Sequence, residues 1–161
     1  MERVVHKWKA VISRVARLLP SRRGCRDEAP RILAILAPGA DRSLLQAASQ
    51  NLGWNLTLAG TPPRPLPEPH GAVAPIVIYD RELPPCNWRD VFCVLTKKSP
   101  RPYLILLSPS VDQNLWDELQ RVGGSDILRA PLKREDLLWA VTRAWLLWRG
   151  QQNVRLRPVT R

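Results

Sequence analysis

Asp80 is the first candidate for chemistry in this chain, because it directly follows the apolar run Ile76-Val77-Ile78-Tyr79. A continuous run of such residues is typical of a strand that is buried on both faces of a sheet. In open parallel sheets, ligands bind outside the carboxyl ends of the strands. Asp80 is therefore predicted to lie where such a sheet would place its ligand.

Two further apolar runs end in the same way. Residues 103–107 lead to Ser108, and residues 126–130 lead to Pro131. We expect these strand ends to meet on one rim with Asp80. The ordinary role of Ser108 would be a hydroxyl that hydrogen-bonds to loop backbone. Glu82, two positions after Asp80, could give a cation another oxygen or be a solvated loop acid.

These residues must be positioned by alternating strands and helices. Strands are predicted at residues 32–36, 55–59, 76–80, 103–107 and 126–130, with helices between them and a last helix over 134–149. Asp41, Asn87 and Ser110, the last with Gln113, are candidate helix N-caps, and Gly53 and Gly123 candidate ends. The pattern predicts a doubly wound α/β domain, with a five-stranded parallel sheet between two helix layers.

The connection before the third strand departs from this pattern. Residues 61–71 contain five prolines, which remove backbone donors and disfavour helix. We therefore expect the second crossover helix to be reduced to an extended loop.

The order of these features resembles the receiver domains of response regulators, the CheY-like family. Residues 80–88, Asp-Arg-Glu-Leu-Pro-Pro-Cys-Asn-Trp, are similar to the family's phosphoacceptor position and the Met-Pro turn that follows it. Ser108 is similar to the Thr or Ser that ends the fourth strand. Residues 123–132 are similar to a stretch that normally reads Gly-Ala-x-Asp-Tyr-Leu-x-Lys-Pro-Phe. The resemblance covers about residues 31–148 and implies strand order 2-1-3-4-5 and bacterial two-component, or phosphorelay, signalling.

Departures from the family pattern concern the phosphorylation site. The magnesium-binding acids are matched by Leu36 and Ala37, the lysine before proline by Ala130, and the aromatic switch residue by Ile127. Magnesium requires hard oxygen ligands in near-octahedral geometry. The resemblance therefore implies a degenerate receiver, or pseudo-receiver, without a metal or other cofactor. Magnesium enters only if Asp80 is a working phosphoacceptor with an unusual metal site.

Charge is concentrated at the two ends of the chain. Residues 1–30 hold eight Lys or Arg and three Asp or Glu, and residues 149–161 hold four Arg and no acid. The sequence therefore predicts an N-terminal segment to residue 30, a domain over 31–149 and a basic tail over 150–161. The three cysteines have no metal-site or disulfide spacing. With no secretory signal pattern, we expect a cytoplasmic protein.

The first segment shows an apolar stripe at helical spacing, with basic residues outside it. Its members are Val4, Val5, Trp8, Val11, Ile12, Val15, Leu18 and Leu19, and Pro20 follows. The apolar stripe of this predicted amphipathic helix could contact an anionic membrane surface, a partner helix, or its own domain or a second copy, and these alternatives remain open.

The last predicted helix has apolar residues on two sides. Its broad stripe should cover the sheet, while Trp139, Arg143 and Leu146 fall on the opposite side. Exposed Trp and Leu with a nearby Arg have the composition of an interface anchor. Receiver domains usually dock or dimerise on the face that includes this helix, so the resemblance implies the same surface.

We therefore expect a signalling protein that acts as a protein interaction module with little or no phosphorylation. Its partner would be a sensor kinase or another signalling protein, and a homodimer is open. One alternative is a single-domain phosphoacceptor that uses Asp80. Another is an adaptor whose basic tails bind a membrane surface or nucleic acid. An independent enzyme is not expected, because the sequence has no nucleophile–base pair, phosphate-binding Gly loop or metal cluster.

Overall fold

Five parallel strands form one sheet with helices on both of its faces. The computed structural model describes residues 29–60, 74–84, 86–98 and 100–155, with side chains to residue 152. The strands are β1 (Arg31–Ile35), β2 (Asn55–Ala59), β3 (Ile76–Asp80), β4 (Tyr103–Ser108) and β5 (Asp126–Arg129). The helices are α1 (Ala40–Leu52), α2 (Trp88–Leu95), α3 (Gln113–Val122) and α4 (Arg134–Arg155). The predicted second crossover loop and the predicted N-terminal helix lie outside the described residues.

The strand order is β2-β1-β3-β4-β5, as predicted. In the register, Asp80 is opposite Leu107 and Ser108 is opposite Arg129. The carboxyl ends of β3, β4 and β5 therefore lie at the same edge of the sheet.

Each face of the sheet has its own apolar core. Ile32 and Ile78 pack under α1 and α4 against residues such as Val141. On the other face, Val77 and Tyr79 pack with α2 and α3. Residues 76–79 are all fully buried, which explains why β3 is apolar at every position.

Two helix starts differ from the prediction, while Asn87 caps α2 as expected, accepting from the Arg89 backbone N–H. The cap of α1 is Gly39, not Asp41. The cap of α3 is Asp112, not Ser110 with Gln113, and its carboxylate accepts from the Leu115 backbone N–H at 2.8 Å. In both cases the predicted residue is used in a contact with another part of the chain.

The two predicted helix ends at glycine are confirmed. Gly53 and Gly123 have φ of 69° and 86°. This left-handed conformation lets their backbone N–H groups bond to carbonyls of the last helical turn, and it is unfavourable for residues with a Cβ atom.

Helix α4 is longer than predicted. It continues to Arg155 rather than ending near Arg149, so the predicted boundary at 149–150 lies inside a helix. Trp145 and Trp148 stack with ring centroids 5.4 Å apart. The Gln151 side chain donates to the Tyr103 hydroxyl at 3.3 Å, which places this end of α4 beside the amino end of β4.

Candidate functional site

The candidate site is the rim formed by the carboxyl ends of the strands. Asp80 is half-buried at the end of β3. Its carboxylate oxygen Oδ1 accepts from the backbone N–H of Glu82 at 3.0 Å, and its carbonyl accepts from the Leu83 N–H at 3.2 Å. Part of the acceptor capacity of Asp80 therefore stabilises the turn that follows it. Glu82 is exposed in that turn.

Ser108 is fully buried at the end of β4. Its hydroxyl donates to the Ser110 carbonyl at 2.6 Å and accepts from Arg81 Nη1 at 3.2 Å. The same guanidinium nitrogen lies 3.4 Å from the Ser110 hydroxyl. The Ser108 side chain is thus held between loop backbone and a cationic group, and the expected bond to loop backbone is confirmed.

Arg81 is the rim residue that the sequence reasoning missed. Its backbone N–H donates to the Leu107 carbonyl, which extends the pairing of β3 with β4 by one residue. This pairing places the side chain beside Ser108. The available signal was the position of Arg81 directly after Asp80, next to the predicted end of the neighbouring strand.

The end of β1 is apolar. Leu36 is buried in the core under α1 and α4, and Ala37 is exposed. The nearest following acid in the chain, Asp41, directs its carboxylate to the Leu132 backbone N–H at 2.6 Å. This bond ties the first turn of α1 to the loop between β5 and α4.

These residues do not fit a magnesium site of the kind that the resemblance implies. Mg²⁺ requires several oxygen ligands, and at this rim Asp41 is engaged by Leu132 while Leu36 and Ala37 supply no side-chain oxygen. Within the described ranges, no three His, Cys, Asp or Glu side chains lie together in a way that could hold a metal ion.

Ala130 follows the end of β5 at the rim, and its side chain is uncharged. Its N–H donates to the Ser108 carbonyl at 2.9 Å, and its side chain packs against the core under α1 and α4. The Ala130–Pro131 bond is cis. Ile127 is buried on the other face, beneath α2 and α3, and Arg129 is exposed.

Tyr79 braces the turn after Asp80 from below. Its hydroxyl donates to the Cys86 carbonyl at 3.3 Å, and its ring meets Phe92 edge-on at 6.2 Å. Burial of the phenol, with smaller contributions from Cys86 and Asp80, raises its pKa to about 12. The hydroxyl is therefore a neutral hydrogen-bond donor at physiological pH.

An ion pair connects the two helices on that face. Arg89 Nε donates to Glu118 Oε1, and the guanidinium lies 4.9 Å from the ring centroid of Trp88. This hydrogen bond raises the pKa of Arg89 and lowers the pKa of Glu118. The Arg89 side chain is 38% exposed and the Glu118 side chain 33% exposed, so solvent weakens the ion pair.

A second candidate surface lies on α4. Trp139 is 58% exposed, Leu146 is half-buried, and Leu147, which the sequence reasoning missed, is 45% exposed. Arg143 Nη1 lies 3.8 Å from Asp126 Oδ2, and with Leu147 it lines a shallow groove beside Tyr103. The structure thus places Trp139 on the exposed side of α4, whereas the Arg143 side chain reaches back to β5.

The remaining candidate residues and the cysteines are only partly within the described ranges. Trp8, like both histidines and Cys25, lies outside the described residues. Cys86 is half-buried, and Cys93 is exposed on the outer side of α2. No helix in the described ranges has the length and apolarity needed to cross a membrane.

No protein-family model and no curated protein sequence matches the chain. Its structure is similar to that of the chemotaxis protein CheY4 from Vibrio cholerae, with a TM-score of 0.65 and 19% identity over 72% of this chain and 98% of that chain. The receiver domain of an HD domain-containing protein from Pseudomonas fluorescens gives a TM-score of 0.71 and 19% identity, over 83% of this chain and 98% of that chain.

A third similar structure holds the metal that does not fit here. It is the receiver domain of a sensor histidine kinase from Pseudomonas aeruginosa, with a magnesium ion coordinated in the active-site cleft. The TM-score is 0.61 and the identity 19%, over 71% of this chain and 96% of that chain. At this level of identity, the likeness establishes the fold.

Proposed function

Since the chain has the fold of CheY-like response-regulator receiver domains, we propose that it serves two-component signalling as a protein interaction module with little or no phosphoryl transfer to Asp80. The observation that carries the proposal is the apolar end of β1. Leu36 is 1% exposed in the core, and the following acid, Asp41, is bonded to the Leu132 N–H.

The physical reason is the charge of the reaction. Phosphoryl transfer depends almost entirely on positioning and on neutralisation of charge on the transferred group. Here the β1 end offers no side-chain oxygen for a cation, and the β5 end offers Ala130 in place of an ammonium group. Asp80 without these groups is a carboxylate with little to stabilise an acyl phosphate beside it.

One observation favours the alternative of a working phosphoacceptor. The Arg81 guanidinium lies at the rim, 3.2 Å from the Ser108 hydroxyl, and carries a positive charge. Its Nη1 group is engaged by Ser108 and Ser110, and it points along the β3–β4 side of the rim. In this alternative, Arg81 would have to leave both hydroxyls to stabilise a phosphoryl group on Asp80.

Phosphodonor labelling distinguishes the two functions. The intact chain is incubated with acetyl phosphate and millimolar Mg²⁺, and its mass is measured; binding of beryllofluoride is followed in parallel by fluorine NMR. We expect neither adduct, and a magnesium-binding receiver domain serves as the positive control. Stoichiometric labelling that is lost in Asp80→Asn would overturn the proposal.

The partner belongs to the same proposal. We infer that the partner is a sensor kinase or another signalling protein in the cytoplasm. It would bind the exposed side of α4, where Trp139 and Leu147 are the large apolar groups. The adaptor alternative assigns binding to the basic ends of the chain. It requires capture of anionic vesicles or nucleic acid that falls steeply with added salt. Salt-independent capture of a protein supports the interaction module.

A further inference from the structure

The exposed side of α4 carries an unusual share of apolar surface. Val94, Trp139 and Leu147 are the exposed large apolar side chains among the described residues, and two of them lie on this helix. With Leu146 half-buried between them, they form a patch along about 12 Å of helix axis. We call Trp139, Leu146 and Leu147 the α4 patch.

A second apolar surface lies in residues 4–19, which are outside the described residues. The sequence spaces eight apolar residues there at helical period, with Trp8 among them and Pro20 after them. An apolar stripe of this width is ordinarily buried against protein. The chain thus contains an exposed apolar patch and a second apolar surface that requires an apolar contact.

We propose that residues 4–19 form a helix that packs along the α4 patch of the same chain. A helix of this length spans about 24 Å, which is enough to cover the patch with a turn to spare at each end. The contact goes beyond the proposed function and does not depend on whether Asp80 is phosphorylated.

The connection is long enough for this contact. Residues 20–30 lead into β1 and can span up to about 36 Å. β1 begins at the amino edge of the sheet, where Ile32 is aligned with Ile76 and Ile76 with Tyr103. Tyr103 contacts Gln151, so the end of α4 lies about two strand spacings, or roughly 10 Å, across the sheet from β1 and one layer above it.

Charge complementarity favours one of the two directions that this connection allows. In a parallel arrangement, the segment would end near the amino edge of the sheet, as α4 does. The basic start of the segment, with Arg3 and Lys7 outside the stripe, then lies near the start of α4. Glu135 and Asp136 are exposed there, three and four residues before Trp139 and therefore on its face.

The contact would decide when the α4 patch is available. In the free protein, the patch would be covered by the chain's own segment, and a signalling partner that binds the patch would have to displace it. The N-terminal segment is then the competitor of the partner rather than a membrane anchor.

Hydrogen–deuterium exchange on the full chain tests the contact from both sides. We expect residues 4–19 to exchange at least about tenfold more slowly than unstructured peptide, because packed helices open rarely. Trp139→Asp and Leu147→Asp should each remove this protection. Trp8→Asp should raise the exchange of backbone amides in the part of α4 that carries the α4 patch. Val94→Asp, at an equally exposed apolar position on α2, should change neither segment.

Three results would overturn the proposal. The first is unprotected exchange of residues 4–19 in the native chain. The second is protection that survives both α4 substitutions, which would place the segment elsewhere. The third is protection that depends on protein concentration or appears only with anionic vesicles, which would assign the stripe to a second copy or to a membrane. Since Trp139 and Leu147 are both exposed, circular dichroism should confirm that each variant is folded.

Discussion

The hydrogen bond from the Leu132 N–H to Asp41 gives the sharpest test of how this rim is held. Asp41 lies in the first turn of α1, and its acceptor oxygen is 2.6 Å from the amide of a residue 91 positions later. Leu132 is 6% exposed, so its amide has little access to water if the carboxylate is removed. Asp41→Ala should therefore leave a buried donor without an acceptor.

The size of the effect follows from two contributions. A buried amide left unsatisfied costs about 1–3 kcal/mol, and a carboxylate in the first turn of a helix contributes about 0.3–1 kcal/mol through the helix dipole. Asp41→Ala loses both, so we expect a loss of about 1.3–4 kcal/mol. Asp41→Asn keeps a neutral acceptor and loses mainly the charge, about 0.5–1 kcal/mol. The difference between the two variants measures the acceptor itself.

Urea denaturation of the intact chain, followed by circular dichroism, provides the free energies. A matched control is Ser43→Ala in the same helical turn, since Ser43 is exposed and its hydroxyl donates only to the Gly39 carbonyl. Its change should stay within about 0.5 kcal/mol. Equal stabilities for the Ala and Asn variants of Asp41 would refute the reasoning, because the carboxylate would then be unnecessary as an acceptor and remain available to a cation.

Three further predictions concern the braces and the surface. Glu118→Gln should cost up to about 1 kcal/mol at neutral pH; because its pKa lies below 4.5 in the folded chain, the difference from the native chain should be present above pH 4.5 and vanish as pH falls below it, and unchanged stability at all pH values would contradict this. Tyr79 should ionise near pH 12 rather than 10, so the stability it contributes is complete below pH 10 and is lost as pH rises from 10 towards 12; in ultraviolet titration, Tyr79→Phe should remove the later of two tyrosinate steps and leave that of Tyr103. Trp139→Ala should weaken capture of a protein partner by about 1–3 kcal/mol in a chain that already carries Trp8→Asp, so that residues 4–19 no longer compete for the α4 patch; undiminished capture would show that Trp139 does not anchor the partner.

The strands and the rim could be predicted from sequence because their signals are local. Residues 76–79 are apolar at every position, which is typical of a strand covered on both faces, and full burial ends at Asp80. Parallel strands then bring their carboxyl ends to one edge, so Asp80 and Ser108 had to share a rim. The correct strand order came instead from the resemblance to receiver domains.

The helix caps could not be predicted because they depend on distant contacts. Asp41 has the right chemistry for a cap, but Leu132 offers it a nearly buried amide across the rim, and Gly39 begins the helix instead. The Ser110 hydroxyl likewise lies 3.4 Å from Arg81 Nη1, 29 positions earlier, and Asp112 caps α3 instead. The extension of α4 past Gly150 has a different cause: no proline follows until Pro158, so the helix is not forced to end at the glycine.

The described contacts of the rim explain why a signal is better sought on α4. Asp80 bonds to the Glu82 N–H, Asp41 to the Leu132 N–H, and Ser108 to both Ser110 and Arg81, so these three side chains already have partners within the chain. A ligand that takes these hydrogen bonds would have to break existing ones, and each exchange returns little net free energy, because a hydrogen bond replaced by another of similar strength contributes almost nothing. The α4 patch differs from the rim because its side chains are apolar and exposed. Trp139 and Leu147 expose apolar surface to water, and covering that surface is favourable whether the occupant is residues 4–19 or a partner. Competition for the patch can therefore transmit a signal without phosphoryl transfer, provided that the partner covers more apolar surface than the segment it displaces.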